Sequence, residues 1–235
     1  MDQTSITSIV LIILAFILLV LTYSIYFAFF PRKEFNVVRF ISRIAIFGAM
    51  AAILYAVPYF KLKVPFFPSF LEFHFDEIPA FICGFAYGPF SGFCVLLIKT
   101  LIKLPMSTTG TVGEFSDLAL STIYVVIVTF VYSKKRNLKG VLIGFSIGTV
   151  IQLVAAMVLN VYVLVPLYLS SPLLNITEKD LLYVMRLAIP SIKDIKWSYA
   201  SVAVLPFNAM KDGIVIVITF FVYRSIHYFL RFEKR

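Results

Sequence analysis

The stretch Ile78-Pro-Ala-Phe-Ile-Cys-Gly-Phe-Ala-Tyr-Gly88-Pro89-Phe-Ser-Gly-Phe-Cys-Val-Leu-Leu-Ile-Lys-Thr-Leu-Ile-Lys103 is a mostly apolar run of 26 residues with a Gly-Pro dipeptide near its middle. Proline removes a backbone donor and turns the residue before it away from helix. The run is therefore either one kinked helix or two short helices joined by a tight turn. Charge placement decides between them. Other apolar runs lie near 6–30, 40–58, 114–133, 138–168 and 207–230. Three segments are strongly basic: Arg32, Lys33, Arg39 and Arg43; Lys134, Lys135, Arg136 and Lys139; Arg224, Arg231, Lys234 and Arg235. Together they hold 12 of the 21 basic residues and only two acids, Glu34 and Glu233. Cytoplasmic loops of membrane proteins carry excess Lys and Arg, so all three belong on one side. The first and second share a side only if an even number of crossings separates them. One helix at 78–103 gives three crossings; a hairpin gives four. The pattern predicts a hairpin that turns at Gly88-Pro89.

Composition agrees with a membrane chain. Of 235 residues, 61% are hydrophobic and 14% charged. Soluble domains run about 45–50% apolar and about 25% charged. An ordinary soluble domain and a disordered chain are both excluded. The runs are long and do not alternate with period two, which selects helices over barrel strands. The net charge of +9 is accounted for by basic residues beside the membrane, and no nucleic-acid partner is expected. Seven crossings follow, with the N-terminus outside and the C-terminus inside. The run at 6–30 has no basic residue ahead of it and no small-residue cleavage pattern behind it, so it reads as a retained transmembrane helix. The segments 59–77, about 104–113 and 169–206 then lie outside. In the last of these, Thr177 is predicted to cap a short amphipathic helix around Leu181–Leu187 that lies over the bundle.

No phosphate-binding loop, HExxH or GxSxG motif occurs, and His74 and His227 are far apart, so no enzyme is expected. Cys83 and Cys94 sit in apolar runs and read as small buried hydrophobes. Polar residues within apolar runs are costly in lipid and mark function or helix contacts. Asn160 is one. Asn208 and Lys211, at the start of the last run, share a helix face by their spacing. An amide beside an ammonium suits a planar ligand rich in carbonyls and ring nitrogens. The plainer alternatives are that Lys211 snorkels or pairs with Asp212, and that Asn160 bonds a neighbouring helix. Lys99 and Lys103 read as snorkelling, and Glu114 and Asp117 as acids at a helix N-terminus. The loop at 59–77 is rich in aromatics; it forms either a membrane-interface belt or the lid of a ligand site. Ala45/Ala49, Gly48/Ala52 and Ala52/Ala56 place small residues four apart, a pattern for close helix contact inside the bundle or with a partner.

These pieces together resemble the substrate-binding S components of energy-coupling factor (ECF) vitamin transporters, in their riboflavin-specific, RibU-like branch. The matching stretches are Arg43-Ile-Ala-Ile-Phe-Gly-Ala-Met-Ala; Phe75-Asp-Glu-Ile-Pro-Ala through Gly88-Pro89-Phe-Ser-Gly; Thr109-Gly-Thr-Val-Gly-Glu114; Leu159-Asn-Val-Tyr-Val-Leu-Val-Pro-Leu-Tyr; and Pro206-Phe-Asn-Ala-Met-Lys-Asp-Gly. The resemblance spans roughly residues 38–232. It implies an all-α integral membrane protein: a six-helix S-component bundle at 38–235, preceded by an extra N-terminal transmembrane helix and basic cytoplasmic loop at 1–37. It further implies that Asn160, Asn208 and Lys211 contact the flavin ring, and that a loop from Pro65 to Phe75 closes over it with Phe66, Phe67, Leu71 and Phe73. Ala45, Ala49 and Ala52 would form the partner interface, with Ala45 and Ala49 facing the transmembrane T component. Two ATPases would complete the module, so that ATP is used only by partner subunits and this chain, in the plasma membrane, holds no cofactor. FMN or another vitamin as ligand, or a scaffold role without transport, are the alternatives that the residues leave open.

Overall fold

The structure, a computed structural model, describes residues 18–19, 22–23, 36–62, 64–68, 70–107, 111–170 and 176–232, with side chains described through Ser225. The expected N-terminal span falls almost wholly outside these residues, as does Lys63. Among the described residues the fold is helical, with one isolated bridge pair and no strand.

Helix α1 (Val37–Ala56) starts at Asn36, whose side chain accepts the Arg39 N–H at 3.0 Å. Such a cap satisfies a donor that the first turn leaves open. Helices α2 (Glu77–Tyr87) and α3 (Pro89–Lys103) form the expected hairpin. Gly88 turns it with φ 102°, a backbone region open to glycine and strained for other residues. Its N–H closes α2 on Gly84 O at 2.8 Å, and Pro89 opens α3, where its missing N–H costs nothing. The return is tight: a Cβ on Gly92 would lie 3.0 Å from Ala80 O and 3.4 Å from Gly84 Cα. With 11 residues, α2 is only about 16 Å long, shorter than a hydrocarbon core.

Helix α4 (Val112–Lys134) and helix α5 (Leu138–Ser170) pack closely. Gly144 makes this approach feasible, because a Cβ there would sit 2.7 Å from Val128 O. In a membrane, helices gain from such backbone contact because lipid supplies no hydrophobic drive. Helix α6 (Glu178–Ala188) begins at Thr177, the cap that the sequence predicts, and Asp180 completes a capping box with it. Its Leu181 and Met185 are buried against Ile192, Ile195 and Tyr199, so it covers one end of the bundle. The final helix, α7, begins at Trp197 and runs through Leu205–Phe232. This corrects the expected loop, which extended to 206. The Asp194 carboxylate accepts the N–H groups of Lys196 at 2.9 Å and Ser198 at 3.2 Å, and so starts the helix well ahead of Pro206.

Five helices (α1, α3 with its short turn to Met106, α4, α5 and α7) are long and apolar enough to cross a membrane. Their interior is aromatic. Phe81 lies 5.0 Å from both Tyr124 and Phe145, and Phe85 lies 4.8 Å from Tyr132, all edge-on. The Tyr132 and Tyr223 hydroxyls meet at 2.8 Å and satisfy each other between α4 and α7.

Candidate functional site

Two prolines shape the helices that carry the site. Proline in a helix lacks the donor N–H and its ring presses on the carbonyl four residues earlier. Four residues before Pro166 and Pro206 stand Tyr162 and Val202, whose carbonyls would meet the rings in a regular helix. In both cases that carbonyl lies within a single π turn, Asn160–Leu164 in α5 and Ala200–Val204 in α7. The wider turn makes room for the ring. The two π turns contact each other, and single π turns are frequent at functional sites.

The polar residues follow from this frame. Asn160 opens the first π turn and donates through Nδ2 to Ala156 O at 2.8 Å. Asn208 donates through Nδ2 to Val204 O, the last residue of the second π turn, at 2.9 Å. Gln152 lies two turns before Asn160 on the same face of α5, and its Nε2 donates to Asn208 Oδ1 at 3.1 Å. All three amides are buried.

Lys211 lies one turn beyond Asn208. Its ammonium donates to Glu77 Oε1 at 2.9 Å and is 3.6 Å from Asp117 Oδ1. Ser121 donates to the same Glu77 oxygen at 2.8 Å, while Glu77 Oε2 is buried with no hydrogen-bond partner among the described residues. Lys211 therefore neither snorkels nor pairs with Asp212. The Asp212 carboxyl is fully buried, and neither of its oxygens has a hydrogen-bond partner among the described residues.

The ion pairs continue beyond Lys211. Lys99 donates to Asp117 Oδ2 at 2.6 Å and to Asp76, and its ammonium stands 4.4 Å from the Tyr55 ring centre. His74 bonds Asp76, and its Nε2 is 3.7 Å from Asp117 Oδ1. The snorkelling expected of Lys99 is thus corrected: its side chain is 0% exposed. Asp117 is also not a terminal acid. It lies in the second turn of α4, between the two lysines. Charges taken out of water need close partners, and here α2, α3, α4, α7 and the segment ahead of α2 supply them to one another. Glu114 accepts from Ser107 at 2.7 Å, and Lys103 donates to Met106 O at 3.1 Å.

An aromatic loop lies against this patch. Leu62 and Phe73 exchange backbone bonds at 2.9 and 3.1 Å and close the loop into a hairpin-like turn. Phe67 and Phe73 stand edge-on to Phe207 at 5.3 and 5.8 Å, and Phe207 adjoins Asn208 in sequence. Phe70 reaches Tyr168 and Tyr199. Leu71 is half-buried. Phe66, in contrast, is 74% exposed. On α1 the small residues divide. Ala45 and Ala49 are exposed beside Ile46 and Met50, while Gly48 and Ala52 are buried, with Gly48 against Ile98 of α3. Ala52 is therefore not on the exposed face with the other two.

Sequence reasoning passed over Gln152 and gave no role to Glu77, and it read Lys99 as snorkelling and His74 only as far from His227, without joining either to Asp76. Gln152 carried a signal, since it is the single amide side chain between Leu138 and Leu159. The ion pairs carried none, because Glu77 and Lys211 meet across 134 positions.

Comparison with known proteins adds the following. A family model described as "ECF transporter, substrate-specific component" matches residues 39–223. The chain is 25% identical over 189 residues to the "Riboflavin transporter RibU" of Staphylococcus aureus (strain TCH60), which covers 80% of this chain and 92% of that protein. It is 25% identical over 184 residues to the "Riboflavin transporter FmnP" of Bacillus subtilis (strain 168), with 77% and 88% covered. A solved structure described as "Structure and mechanism of the S component of a bacterial ECF transporter" superposes with a TM-score of 0.64 at 23% identity, covering 83% of this chain and 99% of that one. That likeness establishes the all-helical membrane fold.

Proposed function

The chain belongs to the substrate-specific components of ECF transporters, and from that premise we propose that it captures riboflavin at the outer face of the plasma membrane. It is a multi-pass membrane protein and not an enzyme; the vitamin is its cargo, and no cofactor is needed. The observation that carries the reading is the buried amide pair of Gln152 and Asn208, with Lys211 one turn on and the Phe67–Phe73–Phe207 rings beside it. Amides offer donors and acceptors together, which suits the carbonyls and ring nitrogens of a flavin. Aromatic edges suit its flat apolar body. Asn160, Asn208 and Lys211 contact the ring in this reading, and Phe67, Leu71 and Phe73 cover it.

Riboflavin is favoured over its phosphate because, among the described residues, Lys61 and Lys99 are already engaged by carboxylates. Lys61 is paired with Glu72, and Lys99 with Asp76 and Asp117. Uptake is driven by an associated module of a T component and two ATPases, which hydrolyse the ATP. Ala45 and Ala49, on the exposed apolar face of α1, are the contacts for the T component. The excess of Lys and Arg in three segments supports a cytoplasmic C-terminus and an outer N-terminus in this reading.

Reconstitution tests the transport role. Liposomes holding the chain with a T component and two ATPases should accumulate labelled riboflavin only with ATP inside the compartment that faces the ATPases. Replacing Ala45 and Ala49 with Leu should abolish accumulation while riboflavin still binds. Accumulation without the module, or a scaffold that assembles but binds no flavin, would sink the proposal.

A further inference from the structure

We infer that Gln152 is a positioning residue of the substrate site: it holds the Asn208 amide so that one donor and one acceptor remain for a cyclic imide edge, a ring N–H flanked by carbonyl oxygens. The inference rests on the proposed role of Asn208 in binding.

The orientation of both amides follows from one backbone carbonyl. Asn208 carries two N–H donors and one oxygen with two lone pairs. Val204 O only accepts, so the Asn208 nitrogen must face it, at 2.9 Å. The Asn208 oxygen then lies toward Gln152, and at 3.1 Å an oxygen there needs a donor. Gln152 must therefore present its nitrogen, because the reverse orientation would set two oxygens against each other. Asn208 is left with one N–H and one lone pair. An imide edge offers the complement, an acceptor beside a donor.

This arrangement leaves Gln152 Oε1 buried with no hydrogen-bond partner among the described residues, on a residue 2% exposed. A buried unpaired acceptor disfavours folding. Gln152 is thus a poor choice for stability alone, in a helix whose other positions from Leu138 to Leu159 include no amide. Without its donor, the terminal torsion of Asn208 is free to spread, because such torsions have broad minima.

The test uses the full chain in detergent as wild type, Gln152→Leu, Asn208→Ala and the double variant, with Gln152→Met as a second apolar replacement should the first fail to fold. Three quantities are read: the melting midpoint without ligand, the riboflavin Kd from flavin fluorescence, and the side-chain amide signals of protein labelled with 15N at asparagine. The Asn208 pair of signals is assigned by its loss in Asn208→Ala. Gln152→Leu removes the unpaired Oε1 but leaves Asn208 Oδ1 without its donor, so it should melt close to wild type, bind riboflavin about ten-fold more weakly, and add no loss in the Asn208→Ala background. The Asn208 signals should shift in the ligand-free variant. Signals that stay in place, or losses that add independently, overturn the inference. If wild type binds no riboflavin but the signals still shift, the positioning role stands and the riboflavin reading falls.

Discussion

Replacing Lys99 with Met keeps the length and apolar body of the side chain and removes its charge. In the structure that ammonium is 0% exposed, donates to Asp117 at 2.6 Å and to Asp76, and stands 4.4 Å from the Tyr55 ring. Its loss leaves the buried Asp76 carboxylate with only His74 beside it, and the largely buried Asp117 with Lys211 at 3.6 Å as its nearest remaining counter-group. Removing one partner of a buried pair costs about 3–5 kcal/mol, because the other charge stays buried. For a chain of this size each kcal/mol moves the melting midpoint by about 2–4 °C, so Lys99→Met should melt about 6–20 °C below wild type. A thermal-shift assay in detergent, followed by loss of monodisperse protein, reads this directly. The double variant Lys99→Met/Asp76→Asn should melt above the single one, since it removes one of the stranded carboxylates. A single variant within about 2 °C of wild type would refute the reasoning and return Lys99 to the snorkelling role that its sequence position suggests.

Three further outcomes follow from the geometry. Gly88→Ala forces a Cβ into a turn at φ 102° and should cost about 1–3 kcal/mol, seen as a lower melting midpoint; an unchanged midpoint would mean that the hairpin does not turn there. Tyr223→Phe strands the Tyr132 hydroxyl and should cost about 1–3 kcal/mol by the same assay, with Tyr132→Phe in addition recovering part of it. Phe207→Ala removes the ring against which both Phe67 and Phe73 stand, and should speed riboflavin release about ten-fold in stopped-flow fluorescence, whereas Phe66→Ala, at an exposed position, should leave the rate unchanged.

The parts of the fold that one residue dictates were legible in the sequence. Gly88-Pro89 admits few conformations, and the parity of the basic segments forced the chain to turn there. Thr177 marks a helix start by local chemistry alone, and it caps the helix as expected, with Asp180 completing the box. The start of α7 was not legible, because Pro206 reads as a boundary unless the preceding turn widens. That widening depends on packing between two π turns from distant parts of the chain. The polar site divides in the same way. Asn160, Asn208 and Lys211 stand out as polar residues in apolar runs. Their partners do not, because Lys99 and Asp117 are 18 positions apart and Asp76 and Lys99 23 apart, and only the folded bundle brings them together. Asp117 illustrates the limit: its place near a helix start suggests a terminal acid, and the tertiary structure makes it the shared anion of two buried lysines.

Titration of riboflavin fluorescence with the detergent-purified chain, competed by FMN and by thiamine, tests the central claim most directly. The account predicts saturable quenching at one site per chain, unaffected by thiamine, less readily competed by FMN than by riboflavin, and lost in Asn208→Ala and Lys211→Ala protein that remains folded. Folded wild-type protein that leaves riboflavin fluorescence unchanged, or quenching that survives both substitutions, would contradict it.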